Sequence, residues 1–210
     1  MELGGNAPFL VFADADLEPA VKEVLASKFR NAGQTCVCAN RIYVQDGVYD
    51  AFALKLAEKM KTLKVGKGTE AGVNLGPLID AQGLAKVEDH VADAVAKGAK
   101  VVVGGKRSSL GGRFYEPTIL TGVTPEMKVS REETFGPVAP LFRFKDEAEA
   151  LQSGSAAFLR EVNWTGGSES QREVVERFKP ILAALWRMSA EDAAPAGDAS
   201  DIGKDLTKDL

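Results

Sequence analysis

Apolar positions along this chain change period several times, and each change marks an element. Residues 8–12 form an unbroken apolar run that suits a buried strand, and Asp14 and Asp16 supply capping carboxylates for a helix start. Leu17, Ala20, Val21, Val24, Leu25 and Phe29 then recur at helical spacing, which predicts a helix ending near Gly33, with residues 34–38 as a loop at its end. Residues 41–44 read as a strand, and Val48, Phe52, Leu56, Met60 and Leu63 mark a second amphipathic helix. A glycine-rich connection over 64–77 leads to a third helix carrying Leu84, Val87, Val91 and Val95 and ended by Gly98, after which residues 100–105 read as a strand. Two more strands are predicted over 115–123 and 138–144, separated by a segment, 131–137, whose Gly-Pro end marks a turn. Strands alternating with helices predict an α/β fold with a mostly parallel sheet covered on both faces.

Past Leu151 the pattern changes. Gly166-Gly167 precede a capped helix over 168–188 that Pro180 should kink, and residues 189–210 read as a loose tail. The expected division is therefore 1–151 as one α/β unit and 152–210 as an unassigned helical segment with its tail.

Composition narrows the function classes without choosing one. The chain has 210 residues, 45% apolar, with a formal charge of −4, so no basic stripe offers itself to a phosphate backbone and no nucleic-acid partner is expected. No apolar run approaches a membrane span, and the N-terminus lacks the basic-then-apolar order of a signal peptide, so no membrane partner and a cytoplasmic location are expected. The two cysteines, Cys36 and Cys38, stand one residue apart with His90 the only histidine. That set forms neither a disulfide framework nor a metal site, and the cysteines read as thiols.

Cys36 carries the chemistry. It follows a glycine-broken helix end in the run Phe29-Arg30-Asn31-Ala32-Gly33-Gln34-Thr35-Cys36, where polar, flexible neighbours suit an exposed thiol better than a packed one. A thiolate is the working nucleophile, so the site must favour the anion through backbone N–H groups or a positive neighbour, for which Arg30 is a candidate. Upstream, Glu2-Leu3-Gly4-Gly5-Asn6 places a carboxylate that could serve as base, against the plainer reading of a solvated terminal glutamate. His90, among charged neighbours on its helix, reads as a surface residue, and Trp164 and Trp186 read as shielding apolar surface in the C-terminal segment.

Together, Glu-Leu-Gly-Gly-Asn, the Gly-Gln-Thr-Cys run and Glu132-Glu133-Thr134-Phe135-Gly136-Pro137 resemble the aldehyde dehydrogenase superfamily over residues 1–151. The resemblance implies a three-layer αβα catalytic domain and NAD(P)-dependent oxidation of an aldehyde to its carboxylate. In that family the cysteine matching Cys36 attacks the carbonyl and the glutamate matching Glu2 activates water. Glu133 and Phe135 match positions that hold the nicotinamide ribose and flank the nicotinamide ring. The sequence around Arg30 and Cys38 looks like the succinate-semialdehyde dehydrogenase branch. There the arginine matching Arg30 grips the substrate's distal carboxylate, a task suited to a guanidinium fork. Cys38 is either a redox partner for Cys36, as in some relatives, or a small packing residue, and the strain of bridging i to i+2 favours packing.

The resemblance further implies that a cofactor domain would precede the Glu-Leu-Gly-Gly motif, making this chain a truncated catalytic domain. Apolar surface left open in that way would favour homo-oligomers or other self-association. Beside oxidation of a small aldehyde, probes of function must then consider a catalytically incompetent remnant or interaction protein, and cofactor-free ester or acyl transfer by Cys36.

Overall fold

A computed structural model describes residues 5–147, 149 and 150. Glu2 and everything from residue 151 onward, including the expected helix over 168–188, the tail, Trp164 and Trp186, lie outside the described residues.

Five strands make one sheet. In chain order the elements are β1 (Ala7–Val11), α1 (Leu17–Lys28), β2 (Ala39–Gln45), α2 (Asp46–Met60), α3 (Ala81–Ala96), β3 (Lys100–Val103), β4 (Thr118–Val123), α4 (Lys128–Arg131) and β5 (Val138–Phe144). The strands lie in the order β1-β2-β5-β4-β3, with the first three pairings parallel and β3 antiparallel to β4 at the edge. β1 and β2 are buried on both faces, as unbroken apolar runs require in a parallel sheet. Phe9 and Val11 of β1 and Ile42 and Val44 of β2 pack with α1 and α2. Leu10 and Tyr43, pointing the other way, join Leu84, Val87 and Val91 of α3. The α/β architecture with helices on both faces is the expected one.

Local signals explain the boundaries. Asp16 caps α1 by accepting from Glu18 N–H at 3.1 Å, and Asp80 caps α3 by accepting from Gly83 N–H at 2.7 Å. β3 differs from the other strands: Val101 and Val102 are 41% and 46% exposed, so the strand expected over 100–105 is an edge strand and ends at Val103. α1 stops at Lys28, earlier than Gly33, because Asn31 and Ala32 already leave the right-handed region at φ of 51° and 55°.

Tyr49 stitches α2 to the sheet. Its hydroxyl donates to the Leu141 carbonyl of β5 at 3.0 Å and accepts from Gly122 N–H of β4 at 3.1 Å. Burial holds the Tyr49 hydroxyl above its ordinary pKa. Tyr49→Phe removes both bonds and is expected to lower stability by about 1–2 kcal/mol, read as a lower urea midpoint at unchanged m-value.

Candidate active site

Three segments meet at one end of the sheet because of strand order. Gly5 precedes β1, Cys36 precedes β2, and residues 133–136 precede β5. These strands are parallel neighbours, so their amino ends lie side by side and the segments feeding them converge. Ligands of open α/β sheets commonly sit at the carboxyl ends of the strands. Here the chemistry-bearing segments gather at the opposite edge.

Cys36 follows a strained turn. Asn31, Ala32 and Gly33 take three successive left-handed conformations, at φ of 51°, 55° and 73°, of which only the glycine adopts it without cost. Side chains hold the turn: Asn31 Nδ2 donates to the Gln34 carbonyl at 3.0 Å, and Gln34 Nε2 donates back to the Asn31 carbonyl at 3.1 Å. Gln34 Oε1 also accepts from Ile79 N–H at 2.8 Å. A second turn comes next, with Cys38 N–H donating to the Thr35 carbonyl at 3.2 Å, and Cys36 lies within it, half-buried. Strain held this firmly is characteristic of functional sites.

Two close approaches join the segments. A Cβ on Gly5 would lie 2.2 Å from the Cys36 carbonyl oxygen, and one on Gly33 would lie 2.1 Å from that of Gly136. Only glycine permits either contact. Glu133 adds a bond between segments, its Oε1 accepting from Gly5 N–H at 3.1 Å. The loop therefore carries a half-buried carboxylate and, at Phe135, an aromatic ring 36% exposed. Arg30 is exposed at the start of the turn that leads to Cys36. Cys38 is fully buried as a free thiol, donating to the Gly33 carbonyl at 3.5 Å. Thr35 Oγ1 and Asn6 Oδ1, each in one of the converging segments, are buried without a partner among the described residues.

Beneath the turn lies a group that sequence reasoning missed. Lys28, the last residue of α1, is wholly buried, and its ammonium donates to Asn40 Oδ1 at 2.6 Å, to the Thr134 carbonyl at 3.1 Å and to Cys38 Sγ at 3.7 Å. Burial pushes its pKa below the ordinary lysine value, opposed by Cys38 and by the more distant charge of Glu133. The signal available was position: Lys28 follows Val21 and Val24 by seven and four residues, on the buried stripe of α1.

His90 corrects the expectation of a surface residue. It is fully buried, on the stripe Leu84, Val87, His90, Val91 and Ala94, while its charged neighbours Glu88 and Asp89 point elsewhere. Its Nδ1 pairs with Thr134 Oγ1 at 2.9 Å and its Nε2 with Glu132 Oε2 at 3.2 Å. Burial lowers its pKa below 6.5, partly offset by Glu132. Among the described residues no group of three or more His, Cys, Asp or Glu could hold a metal ion, and no helix is long and apolar enough to cross a membrane.

Comparison with known proteins points to one family. The profile of the aldehyde dehydrogenase family matches residues 1–156. The chain is 65% identical over 151 residues to the NADP(+) succinate-semialdehyde dehydrogenase of Escherichia coli, an alignment covering 72% of this chain and 31% of that protein. It is 66% identical over 151 residues to the glutarate-semialdehyde dehydrogenase of Pseudomonas aeruginosa, with the same coverage of 72% and 31%. Against the mitochondrial succinate-semialdehyde dehydrogenase of Arabidopsis thaliana it is 56% identical, over 97% of this chain and 39% of the relative. The crystal structure of succinate-semialdehyde dehydrogenase from Burkholderia pseudomallei superimposes with a TM-score of 0.73 at 61% identity, covering 74% of this chain and 32% of that one. The chain thus spans between 31% and 39% of the length of these curated relatives.

Two outcomes are expected from this geometry. Gly33→Ala forces a side chain into the Gly136 carbonyl from a left-handed backbone, and it should cost at least about 1–2 kcal/mol from the backbone alone, measured by denaturant unfolding. For His90, a folded pKa depressed below its unfolded value means that the unfolded chain binds more protons as pH falls through 6.5. The stability this burial provides is complete above pH 6.5 and declines below it. The stability gap between the wild-type chain and His90→Asn should therefore narrow between pH 7.5 and pH 5.5, and the single imidazole C2–H resonance should titrate with a midpoint below 6.5.

Proposed function

The chain belongs to the aldehyde dehydrogenase family, and on that premise we propose that it supplies the nucleophile side of a site that oxidises a small aldehyde to its carboxylate. One observation carries the reading: the left-handed turn that presents Cys36 is braced by side chains and pressed against both the Gly5 and the Gly136 segments. A nucleophile held in that way meets its substrate in a fixed orientation.

In this reading the Cys36 thiolate forms a bond to the aldehyde carbon while the carbonyl electrons move onto oxygen. That oxygen is met by the backbone N–H of Cys36. NAD or NADP, held at Glu133 and Phe135, would supply the hydride acceptor needed for the thiol adduct to become a thioester. Glu2, three residues ahead of the Gly5 contact, takes a proton from the water that then cleaves the thioester, releasing the carboxylate and restoring the thiolate. The residues present fit a nicotinamide cofactor: Glu133 has one oxygen engaged by Gly5 N–H and one to accept from a ribose hydroxyl, and the Phe135 ring beside it offers an apolar face.

Relatives suggest the substrate class. Succinate semialdehyde, glutarate semialdehyde and 3-sulfolactaldehyde, named for relatives 62% to 66% identical to this chain, each carry an anion at the end opposite the aldehyde. The exposed guanidinium of Arg30, one turn before Cys36, is suited to hold that anion by paired hydrogen bonds. Succinic semialdehyde is the preferred candidate.

The test is formation of reduced cofactor from succinic semialdehyde with excess NAD or NADP. Cys36→Ala should lower turnover by on the order of 10³-fold or more, and Arg30→Ala should raise KM for succinic semialdehyde while sparing an uncharged aldehyde of equal length. A folded chain that turns over equally well with Cys36→Ala sinks the assignment of the nucleophile.

A further inference from the structure

Two wholly buried titratable side chains beneath the site, Lys28 and His90, take no part in the chemistry above, yet they converge on one residue. Thr134 lies between Glu133 and Phe135. Its carbonyl accepts from Lys28 Nζ at 3.1 Å and its hydroxyl pairs with His90 Nδ1 at 2.9 Å. We propose that Lys28 and His90 are positioning residues, which grip Thr134 at its carbonyl and its hydroxyl and so set the aim of Glu133 and Phe135 relative to the Cys36 turn. This rests on the reading of Glu133 and Phe135 as cofactor contacts.

Chemistry at Lys28 supports more than a packing role. Burying an ammonium among neutral groups is costly, and an apolar side chain of similar length would fill the space without that cost. What an apolar residue could not do is bond two segments directly and a third through Asn40. Lys28 Nζ reaches Asn40 Oδ1 at 2.6 Å, and Asn40 Nδ2 donates onward to the Gly5 carbonyl at 3.2 Å. The same ammonium touches Cys38 Sγ at 3.7 Å, two residues beyond the nucleophile. One cation thereby ties the starts of β1 and β2 to the loop ahead of β5.

His90 completes the grip from the other layer. It stands on α3, across the sheet from α1, so Thr134 is held from both faces. Its second nitrogen reaches Glu132 Oε2 at 3.2 Å, and with Thr134 on its first nitrogen both sides of the imidazole engage the same loop. With Glu132 and Thr134 fixed, Glu133 between them has little freedom, while Phe135 is left to project outward. A loop anchored at alternate residues aims the intervening ones in the opposite direction, and that is where a ligand would meet them.

The experiment uses the full 210-residue chain. Amide hydrogen exchange over residues 132–136 and fluorescence titration with NADPH are measured for wild type, Thr134→Val and Thr134→Ser. The valine has the shape of threonine without its hydroxyl, and the serine restores the hydroxyl. Expected are exchange at least ten-fold faster in the loop of Thr134→Val with α2 amides unchanged, at least ten-fold weaker NADPH binding, and recovery of both in Thr134→Ser. Unchanged loop exchange in a folded Thr134→Val, or an equal rise throughout the chain, overturns the proposal. If NADPH binds no form while exchange still separates valine from serine, the positioning role stands and the cofactor reading falls. If NADPH binds valine and serine forms alike, the positioning role falls and the cofactor reading stands. Lys28→Met, which removes the bond to the Thr134 carbonyl, tests the other half of the grip with the same readouts, and should Thr134→Val not fold, His90→Leu removes the hydroxyl bond from the other side and is read in the same way.

Discussion

An ammonium group leaves water only where lone pairs converge on it, and in this fold the convergence at Lys28 ties together the segments around Cys36. The Asn40 amide oxygen and the Cys38 sulfur come from the start of β2 and the Thr134 carbonyl from the loop ahead of β5, remote in sequence, and each must be in place for the cation to be satisfied. A displaced loop would strand a buried charge, a far larger penalty than the loss of an ordinary contact. The demand of one buried charge therefore acts as a geometric specification for the site above it.

Strand order explains why these stretches, and the Gly5 segment that Asn40 reaches, are close together. β1, β2 and β5 are parallel neighbours, so whatever precedes each strand arrives at the same edge of the sheet. Gly5, Cys36 and Glu133 need no long excursions to meet. Glycine then sets the spacing, since Gly5 and Gly33 admit backbone carbonyls where any side chain would stand. The left-handed turn at 31–33, braced by Asn31 and Gln34, converts that closeness into a fixed direction for the thiol.

Periodicity made most of the fold legible. The runs at 8–12 and 41–44 and the helical spacings through Phe52 and Val87 correspond to β1, β2, α2 and α3 with small shifts at the ends. What it could not show was relative placement. The apolar residues 101–103 read as a strand, but β3 lies at an edge and runs antiparallel, a fact decided by which strands pair and not by the run itself. α4 escaped because four residues without a side-chain cap leave no periodic signal. In the site, Cys36, Glu133 and Phe135 were legible from motifs, whereas Lys28 and His90 were not. Charged and polar side chains on a helix are ordinarily solvated, and only the partners at Asn40 and Thr134, remote in sequence, make their burial tolerable.

The bond between Gly5 and Glu133 spans 128 residues of chain. Closing so long a loop costs entropy that local contacts cannot offset, so such pairings consolidate late, after β5 has entered the sheet beside β2. Until that moment the thiol has its turn but lacks the loop that faces it. The surroundings of Cys36 are thus complete only in a chain whose central strand is already in place beside β2.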